Sequence, residues 1–379
     1  PSVVAAALLL ATIPPLFFAQ DFSQWIMRAL IFLVVSCPCA LVISVPLSFF
    51  GGIGGASREG ILIKGANYLE ALSKAEIVVF DKTGTLTEGS FTVSAVHPES
   101  GSEAELLDLA AHAESYSNHP IASSIIAAHG GKIDTSRIGE ITEISGLGVR
   151  AMIDGKVVHV GNSKLMEQIG APGRECEKEG TIVHIAVDKK YRGHIVISDK
   201  IKQDSWKAVN ELKRLGVSRT VMLTGDSKSV AESVGSLLKI DETYSELLPD
   251  KKVAEVEKLL SKKSKNGTLV FVGDGVNDAP VLARADVGIA MGALGSEAAI
   301  EAADIVLTDD KPSKIARAIV ISRKTMSIVR QNIVFALACK ASVLVLGAMG
   351  LASIWLAVFA DVGVMVLAIL NSMRTLKSN

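Results

Sequence analysis

The chain has 379 residues, of which 49% are hydrophobic and 21% charged, with a formal net charge of −1 and a mean hydropathy of +0.38. This apolar content excludes intrinsic disorder, and the balanced charge excludes the large basic field that nucleic-acid binding needs. Four cysteines do not make a disulfide framework in this length. Such a composition indicates apolar segments joined to a water-soluble part, and the length allows roughly two to three domains.

Long uncharged stretches at both ends of the chain predict membrane-spanning helices. Residues 1 to 20 and 29 to 57 carry no charge, and Lys340 and Asp361 are the only charges between Gln331 and Met373. Because about 20 apolar residues cross a bilayer, we expect four spans, near 1–20, 25–50, 329–350 and 353–373. The chain starts at Pro1, inside an apolar stretch, so we expect further protein to precede it.

The positive charges beside these spans lie mainly on one side. They are Arg58, Lys64, Arg323, Lys324 and Arg330, all facing the long central segment. The opposite ends of the spans carry almost no positive charge. The positive-inside rule therefore predicts an integral membrane protein, expected in the plasma (inner) membrane, with its large domain in the cytosol.

The central segment has the rhythm of an α/β domain. Apolar strand patterns at 77–80, 217–223, 268–272 and 287–290 alternate with helical patterns, which predicts a parallel sheet. Residues 93–194 differ and predict an inserted α+β unit. We therefore expect two spans in 1–57, an α/β domain from 58–92 and 195–325, the insertion at 93–194, and two spans in 326–379.

Acidic and polar residues follow three of the predicted strands. They are Asp81, Thr224, Asp226, Asp274 and Asp278. Ligands bind at the carboxyl ends of strands in open α/β sheets, so we expect these side chains to converge. Crowded carboxylates need a cation, and Mg²⁺ fits because it prefers oxygen ligands and binds phosphate. With Lys252 nearby, these groups suit phosphoryl transfer through an aspartyl-phosphate.

The heptad Asp-Lys-Thr-Gly-Thr-Leu-Thr at 81–87 resembles the phosphorylation motif of P-type ATPases. Thr-Gly-Asp at 224–226 and Gly-Asp-Gly-Val-Asn-Asp at 273–278 are similar to two other motifs of that family. The resemblance covers the whole chain and implies a haloacid dehalogenase-like domain in which Asp81 takes the γ-phosphate of ATP. It implies Mg²⁺ on Asp81, Asp274 and the Thr83 carbonyl. The catalytic residues that it implies are Asp81, Lys82, Thr83, Thr224, Gly225, Asp226, Lys252, Asn277 and Asp278.

The insertion resembles the nucleotide-binding domain of the heavy-metal branch of this family, through Ser-Asn-His-Pro at 117–120. In this interpretation His119 stacks on or hydrogen-bonds to adenine, and glycines let the backbone approach the nucleotide. Alone, Gly-Leu-Gly at 146–148 is typical of a turn, and a single histidine is more often structural. The expected ATP-binding residues are Glu114, His119, Pro120, Gly146, Gly148, Gly161 and Asn162.

Cys37-Pro38-Cys39 lies in the middle of the second predicted span. On a regular helix the two cysteines point about 200° apart, but Pro38 clashes with the carbonyl of Val34 and predicts a kink. The kink lets both sulfurs and a freed carbonyl face one cavity, and thiolates select Cu(I), Zn²⁺, Cd²⁺ or Pb²⁺. The alternative is two small buried side chains beside a proline kink. The remaining cysteines are expected to be packing or surface residues: Cys176 and Cys339.

Lys340 and Asp361 are predicted at the same membrane depth as the cysteines, roughly 15–18 Å from the span ends at 1.5 Å rise per residue. Charges at that depth mark function by default, although a salt bridge between the two helices is an alternative. Lys340 with Asp-Val-Gly at 361–363 resembles the zinc/cadmium/lead pumps, whereas copper(I) pumps carry Asn, Tyr, Met and Ser at comparable places. The implied site for the transported ion consists of Cys37, Cys39, Lys340 and Asp361.

The predicted function is ATP-driven export of Zn²⁺, Cd²⁺ or Pb²⁺, which the sequence does not rank. One alternative is a copper(I) pump of the same architecture. A second is a soluble phosphatase, against which the spans argue, as does Thr83 where such phosphatases usually carry a second Asp. A third is a non-catalytic, metal-binding fragment. The expected partners are membrane lipid, ATP, heavy-metal ions, and the actuator domain and N-terminal metal-binding regions of the same protein, which this chain lacks.

Overall fold

A computed structural model describes residues 2–18, 21–117, 119–173, 176, 180–274, 278–292, 297–349, 351 and 353–376. The first elements are α1 (Ser2–Phe18), α2 (Phe22–Val35), α3 (Cys39–Arg58), β1 (Ile61–Ile63), α4 (Ala66–Ser73) and β2 (Ala75–Asp81). The middle elements are β3 (Thr87–Pro98), α5 (Glu103–Ala113), α6 (Pro120–His129), β4 (Ile138–Ile144), β5 (Gly148–Ile153), β6 (Lys156–Gly161), α7 (Ser163–Gln168), β7 (Thr181–Val187) and β8 (Lys190–Ile201).

The rest of the chain returns to alternating helices and strands and ends in two long helices. These elements are α8 (Ser205–Arg214), β9 (Arg219–Leu223), α9 (Lys228–Leu238), β10 (Glu242–Tyr244), α10 (Pro249–Lys262), β11 (Thr268–Gly273), α11 (Ala279–Arg284), β12 (Val287–Met291), α12 (Glu297–Ala302), β13 (Ile305–Leu307), α13 (Ser313–Ala348) and α14 (Ile354–Ser372).

The first sheet has seven strands in the order β1-β13-β12-β11-β2-β9-β10. Every neighbouring pair is parallel except β1 and β13, which are antiparallel. Its central strands are continuous apolar runs because helices cover both faces, and Phe80 and Phe271 are fully buried there. Since β2 lies between β11 and β9, Asp81 at its carboxyl end is placed beside the loops that follow those two strands.

The second sheet is an insertion between β2 and α8, with six antiparallel strands in the order β3-β8-β7-β6-β5-β4. Helix α5, which begins with a capping box formed by Ser102 and Glu105, packs with α6 over one face. The strands β3 and β8 pair from Thr87↔Ile201 to Pro98↔Gly193. The unit is therefore longer than the predicted 93–194, because these strands continue the pairing back to the loop that follows Asp81.

Three helical segments in the described part of the chain are long and apolar enough to cross a membrane: Phe22–Arg58, Ser313–Gly347 and Trp355–Leu376. The prediction of four spans is wrong in this count. The first apolar helix has 17 residues and contains Pro14 and Pro15. At 1.5 Å per residue it rises about 25 Å, less than the ~30 Å of a bilayer core.

Helix α13 has 36 residues and runs without interruption from the soluble domain into the membrane bundle. Its Asn332 donates to the Ala368 carbonyl (3.1 Å) and to Ser372 Oγ (2.9 Å) on α14. Ser48 on α3 donates to the same Ser372 oxygen at 2.8 Å. This buried polar cluster joins three membrane helices, so α13 connects the soluble part mechanically to the bundle.

Candidate functional site

Asp81 ends β2 and is 6% exposed. Its carboxylate pairs with the ammonium of Lys252, which also donates to Asp278 Oδ1 at 3.0 Å. Lys252 lies in the first turn of α10, which begins at Pro249, and Asp278 immediately precedes α11. The structure therefore places Lys252 between two of the segments that the sequence predicted to converge.

The carboxyl oxygens of Asp81, Asp274 and Asp278 lie within 4.8 Å of one another. Burial, followed by the charge of Asp278, raises the pKa of Asp81 to about 7 despite the nearby Lys252. The same two causes raise the pKa of Asp274 to about 6. Ionised carboxylates are disfavoured here unless a cation compensates them, so this donor set fits Mg²⁺. Asp278 is a third carboxylate in this cluster, whereas the sequence analysis expected only Asp81 and Asp274 to bind Mg²⁺ through their carboxylates.

Lys252 supplies one positive charge to this cluster. Burial lowers the pKa of its ammonium, but the carboxylates of Asp81 and Asp278 outweigh that effect and raise the pKa above its usual value. The lysine therefore stays charged at neutral pH. An ammonium held between two carboxylates can neutralise negative charge that arrives at Asp81.

The loop Lys82–Leu86 passes directly beneath Asp274. Gly84 has a φ of +74°, and a Cβ built on it would lie 1.6 Å from Asp274 Oδ2. Only glycine fits both the left-handed backbone and the close approach. Thr83 precedes it in extended backbone, half-buried. Lys202, which sequence reasoning missed, donates to the Gly84 carbonyl at 2.5 Å and pairs with Asp310 at 2.9 Å.

Lys82 is buried and pairs with Asp226, while its Nζ lies 3.9 Å from Asp199 Oδ2. The backbone N–H of Asp226 donates to Thr224 Oγ1 at 3.1 Å, so Thr224 orders the turn that contains Gly225. Asp199 accepts a hydrogen bond from Thr87. Sequence reasoning missed Asp199, which no motif marks and which the pairing of β3 with β8 brings to the site. Thr87 is the last residue of the heptad at 81–87, but the sequence analysis gave it no role. Asn277 lies outside the described residues.

A second cavity, of about 300 Å³, lies in the inserted domain. Six of the seven residues predicted for nucleotide binding line it: Glu114, His119, Gly146, Gly148, Gly161 and Asn162. The seventh, Pro120, does not line the cavity but is the first residue of α6, where a missing N–H costs nothing. Ser117 also lines it, and Asn118 lies outside the described residues.

Three polar side chains around this cavity differ in their hydrogen bonds and in their ionisation. His119 caps α6, since its Nδ1 accepts from the N–H of Ile121 at 3.2 Å. Asn162 donates to the Gly146 carbonyl at 3.0 Å and accepts from Leu165 N at 3.1 Å, so it holds the glycine turn and caps α7. Burial raises the pKa of Glu114 to about 7. This carboxyl group can therefore donate or accept a hydrogen bond near neutral pH.

The Cys-Pro-Cys segment breaks the membrane helix instead of only kinking it. Helix α2 ends at Val35, α3 begins at Cys39, and Pro38 has a φ of −82° and a ψ of 44°. The sulfur atoms of Cys37 and Cys39 lie 2.7 Å apart. The Cys39 thiol is also within hydrogen-bonding reach of Asp361. Loss of helical geometry thus brings two sulfurs beside one carboxylate.

The ammonium of Lys340 donates hydrogen bonds to carbonyl groups beside the helix break. Its Nζ donates to Val35 O at 2.9 Å, to the Cys37 carbonyl, and to Asp361 Oδ1 at 2.8 Å. The cavity beside Lys340 and Asp361 measures about 10 Å³, which is at the lower limit for one water molecule. The structure therefore places both charged side chains beside the Cys-Pro-Cys segment.

A family model described as haloacid dehalogenase-like hydrolase matches residues 75–286. The whole chain is 55% identical to a cadmium, zinc and cobalt-transporting ATPase of Bacillus subtilis (strain 168), and covers 54% of that protein. It is 54% identical to a zinc-transporting ATPase of a Synechocystis species and covers 52% of it. The chain thus spans about half the length of the curated relatives it matches.

A solved structure of a metal-transporting ATPase also resembles this chain. The whole chain superimposes on a zinc-transporting PIB-type ATPase in an E2.Pi state with a TM-score of 0.86 and 37% identity, and covers 62% of that structure. The seven-stranded sheet, the inserted sheet and the membrane helices all fall within the matched region, because the match covers 100% of this chain.

Proposed function

We propose that this chain, which belongs to the haloacid dehalogenase-like hydrolases, is part of a heavy-metal P-type ATPase, and that the complete protein exports Zn²⁺ and Cd²⁺ at the expense of ATP. Its relatives are named as transporters of cadmium, zinc and cobalt. Cobalt was not among the ions expected from the sequence, and Pb²⁺ stays a prediction. The chain is an integral membrane protein, and we place its large domain in the cytosol.

The observation that carries the proposal is the arrangement of Asp81, Lys252 and the carboxylates of Asp274 and Asp278. An Asp81 oxygen attacks the γ-phosphorus of ATP, the bond to the bridging oxygen breaks, and ADP leaves. Lys252 neutralises charge that develops on the transferred phosphoryl group. Mg²⁺, held by Asp81, Asp274 and the Thr83 carbonyl with Asp278 beside them, would supply electrostatic stabilisation to the phosphate oxygens.

We assign the adenosine part of ATP to the cavity in the inserted domain. A cleft of about 720 Å³ lies between the inserted sheet and helix α9, lined by Lys82, Asp199 and Asp226 among others. Thr181 lines both the cavity and the cleft, so the two spaces are adjacent. A nucleotide with its base beside Glu114 can thus extend its phosphates toward Lys82 and Asp81.

The proposed cargo site consists of the Cys37 and Cys39 thiolates with the Asp361 carboxylate. Together they carry about −3 charges against the +2 of the ion, and mixed sulfur and oxygen ligands suit Zn²⁺ and Cd²⁺ better than Cu(I). Lys340 is placed to replace the ion as the positive partner of Asp361 after release. The copper(I) alternative is not favoured by the relatives or by these two charges.

The test is phosphorylation of the complete protein with radiolabelled ATP, together with ATPase activity against a panel of metal ions. We expect an acid-stable, hydroxylamine-labile phosphoenzyme that is absent from the Asp81→Asn variant. We expect Zn²⁺ and Cd²⁺ to stimulate ATPase activity, and the Cys37→Ala/Cys39→Ala variant to lose that stimulation. Stimulation by Cu(I) alone would overturn the cargo assignment. Label that persists in Asp81→Asn, or metal binding without nucleotide binding, would overturn the enzymatic assignment.

A further inference from the structure

Three histidines form a row across the antiparallel sheet, away from the sites described above. His97 on β3 pairs with His194 on β8, which pairs with His184 on β7. Residues directly opposite each other on antiparallel strands point to the same face. The ring centroids of His97 and His194 are 5.0 Å apart, and those of His184 and His194 are 5.9 Å apart.

The row lies on the face of the sheet that α5 and α6 do not cover. Ile185 and Ile195, which flank His184 and His194 in the strands, pack with Leu106 of α5 in one core. Because successive strand residues point to opposite faces, the histidines face the other way. Gly173 lies against this face, since a Cβ built on it would be 2.7 Å from His184 Nδ1.

Among the residues that the structure describes, two ring nitrogens in this row are buried and have no hydrogen-bond partner: His97 Nε2 and His194 Nε2. His194 is itself only 8% exposed. Its other nitrogen, Nδ1, lies 3.0 Å from the hydroxyl of Tyr191, which also bonds His184 Nδ1 at 3.0 Å. When His194 donates its Nδ1 proton to this hydroxyl, Nε2 presents a lone pair. A metal-ligating histidine typically binds the metal through one ring nitrogen and forms a hydrogen bond through the other. His194 has this arrangement, and a metal would explain its buried nitrogen without a described partner.

Cys176 completes the cluster. Its Sγ and one ring nitrogen from each of His97 and His194 lie within 4.8 Å of one another. Tetrahedral Zn²⁺ with bonds of 2.0 to 2.3 Å needs its ligands about 3.5 Å apart, so an inward shift of roughly 1 Å closes the site.

We propose that His97, His194 and Cys176 form a Zn²⁺ site on the soluble part of the chain, separate from the membrane path, with Tyr191 as a positioning residue. Two imidazoles and one thiolate suit a borderline divalent ion. Three protein ligands leave the fourth position to water, which is typical of an exchangeable site and not of a closed structural one. The sequence analysis expected Cys176 to be a packing or surface residue; the proposal gives this thiol a ligand role and does not rest on the proposed transport function.

The test uses the full chain in detergent with Cys37→Ser and Cys39→Ser, so that the membrane thiols cannot contribute. Co²⁺ serves as the probe, because a thiolate ligand gives it a charge-transfer band in the near ultraviolet, and Zn²⁺ serves as competitor. We expect one Co²⁺ per chain with this band, displaced by Zn²⁺. In this background Cys176→Ser abolishes the band. His97→Gln and His194→Gln weaken binding at least about tenfold, and Tyr191→Phe weakens it about 10- to 100-fold.

The matched controls are His159→Gln and Cys339→Ser. His159 is a buried histidine on β6 that is not part of the cluster, and Cys339 is the one other cysteine of the sequence left in that background. Both controls should bind Co²⁺ as the parent does. A band that survives Cys176→Ser, or an unchanged affinity in His194→Gln, would overturn the proposal, as would absence of thiolate-ligated Co²⁺ in the parent. Because Cys176 is only half-buried, its serine variant tests the site even if a histidine variant fails to fold.

Discussion

The ammonium of Lys340 lies 2.8 Å from the carboxylate of Asp361, and the same ammonium binds the Cys37 carbonyl. One side chain of α13 therefore joins α14 to the broken helix at the Cys-Pro-Cys segment. Removing one partner from a buried ion pair leaves an uncompensated charge, at a cost of about 3–5 kcal/mol. An ion that binds Asp361 must compete with Lys340 for this carboxylate.

Replacing Lys340 by Ala should increase the affinity for Zn²⁺ and lower the metal-stimulated ATPase rate. Without the lysine, Asp361 is free to hold the ion, and nothing takes the ion's place on release. We expect Zn²⁺ to bind at least about tenfold more tightly, which corresponds to about 1.4 kcal/mol. Equilibrium Zn²⁺ binding and steady-state ATPase assays of the complete protein measure both effects.

The control for this variant is Ser342→Ala on the same helix. Ser342 bonds only within α13, to the Ala338 carbonyl at 2.9 Å in the described contacts, and is exposed. Its removal should leave binding and turnover unchanged. If Lys340→Ala behaves like this control in both assays, Lys340 has no part in ion release.

Replacing Lys252 by Ala should slow phosphoenzyme formation by about 10²- to 10³-fold. The variant removes the ammonium that pairs with Asp81 and Asp278, so charge on the arriving phosphoryl group is no longer neutralised. Single-turnover phosphorylation from radiolabelled ATP measures the rate. Lys251→Ala, which removes the exposed neighbouring lysine, should phosphorylate normally. Equal rates for the two variants would contradict the role of Lys252.

Replacing Gly84 by Ala should abolish phosphorylation. The new Cβ would lie 1.6 Å from Asp274 Oδ2, and the backbone φ of +74° is strained for alanine. Gly130→Ala is the matched control, because Gly130 has a φ of +63° and nothing lies within 4 Å of its Cβ position. That control should lose about 1–2 kcal/mol of stability and keep phosphorylation. A Gly84→Ala protein that forms normal phosphoenzyme would show that the loop can move away from Asp274.

The elevated pKa of Glu114 predicts a pH-dependent stability. The unfolded chain ionises this carboxyl group near its ordinary pKa of 4.5, whereas the folded protein does so at about 7. The folded state therefore binds more protons between these values, and its stability falls as the pH rises from about 4.5 to about 7. Glu114→Gln removes this loss, so the variant should gain up to about 3 kcal/mol over the parent near pH 8 and less near pH 5.

Thermal unfolding of the detergent-solubilised chain at the two pH values measures this difference. Glu140→Gln, an exposed glutamate on β4, should show no pH-dependent gain. A gain for Glu114→Gln that is the same at both pH values would mean that packing, and not ionisation, causes it.

The sequence pattern was sufficient to predict that the carboxylates around Asp81 lie together. Asp81, Asp274 and Asp278 follow strands whose carboxyl ends meet at one edge of a parallel sheet, so their convergence follows from topology. The same pattern could not identify Asp199 or Lys202. These residues reach the Asp81 loop because β8 pairs with β3 across more than a hundred residues, and pairing at that distance leaves no local signal.

In the membrane part, apolar length and a proline between two cysteines predicted the location of the site but not its geometry. Pro38 lacks an N–H donor and its ring crowds the preceding turn, so it disfavours regular helix through its local chemistry. The helix can break there only if other groups form hydrogen bonds to the carbonyls that the break leaves free. Lys340, some three hundred residues later, donates to two of them. Local chemistry of the chain thus selects the strands, the turns and the candidate ligands. Which side chains share a site is settled by packing, because the hydrogen bonds and charge pairs that close these sites join segments far apart along the chain.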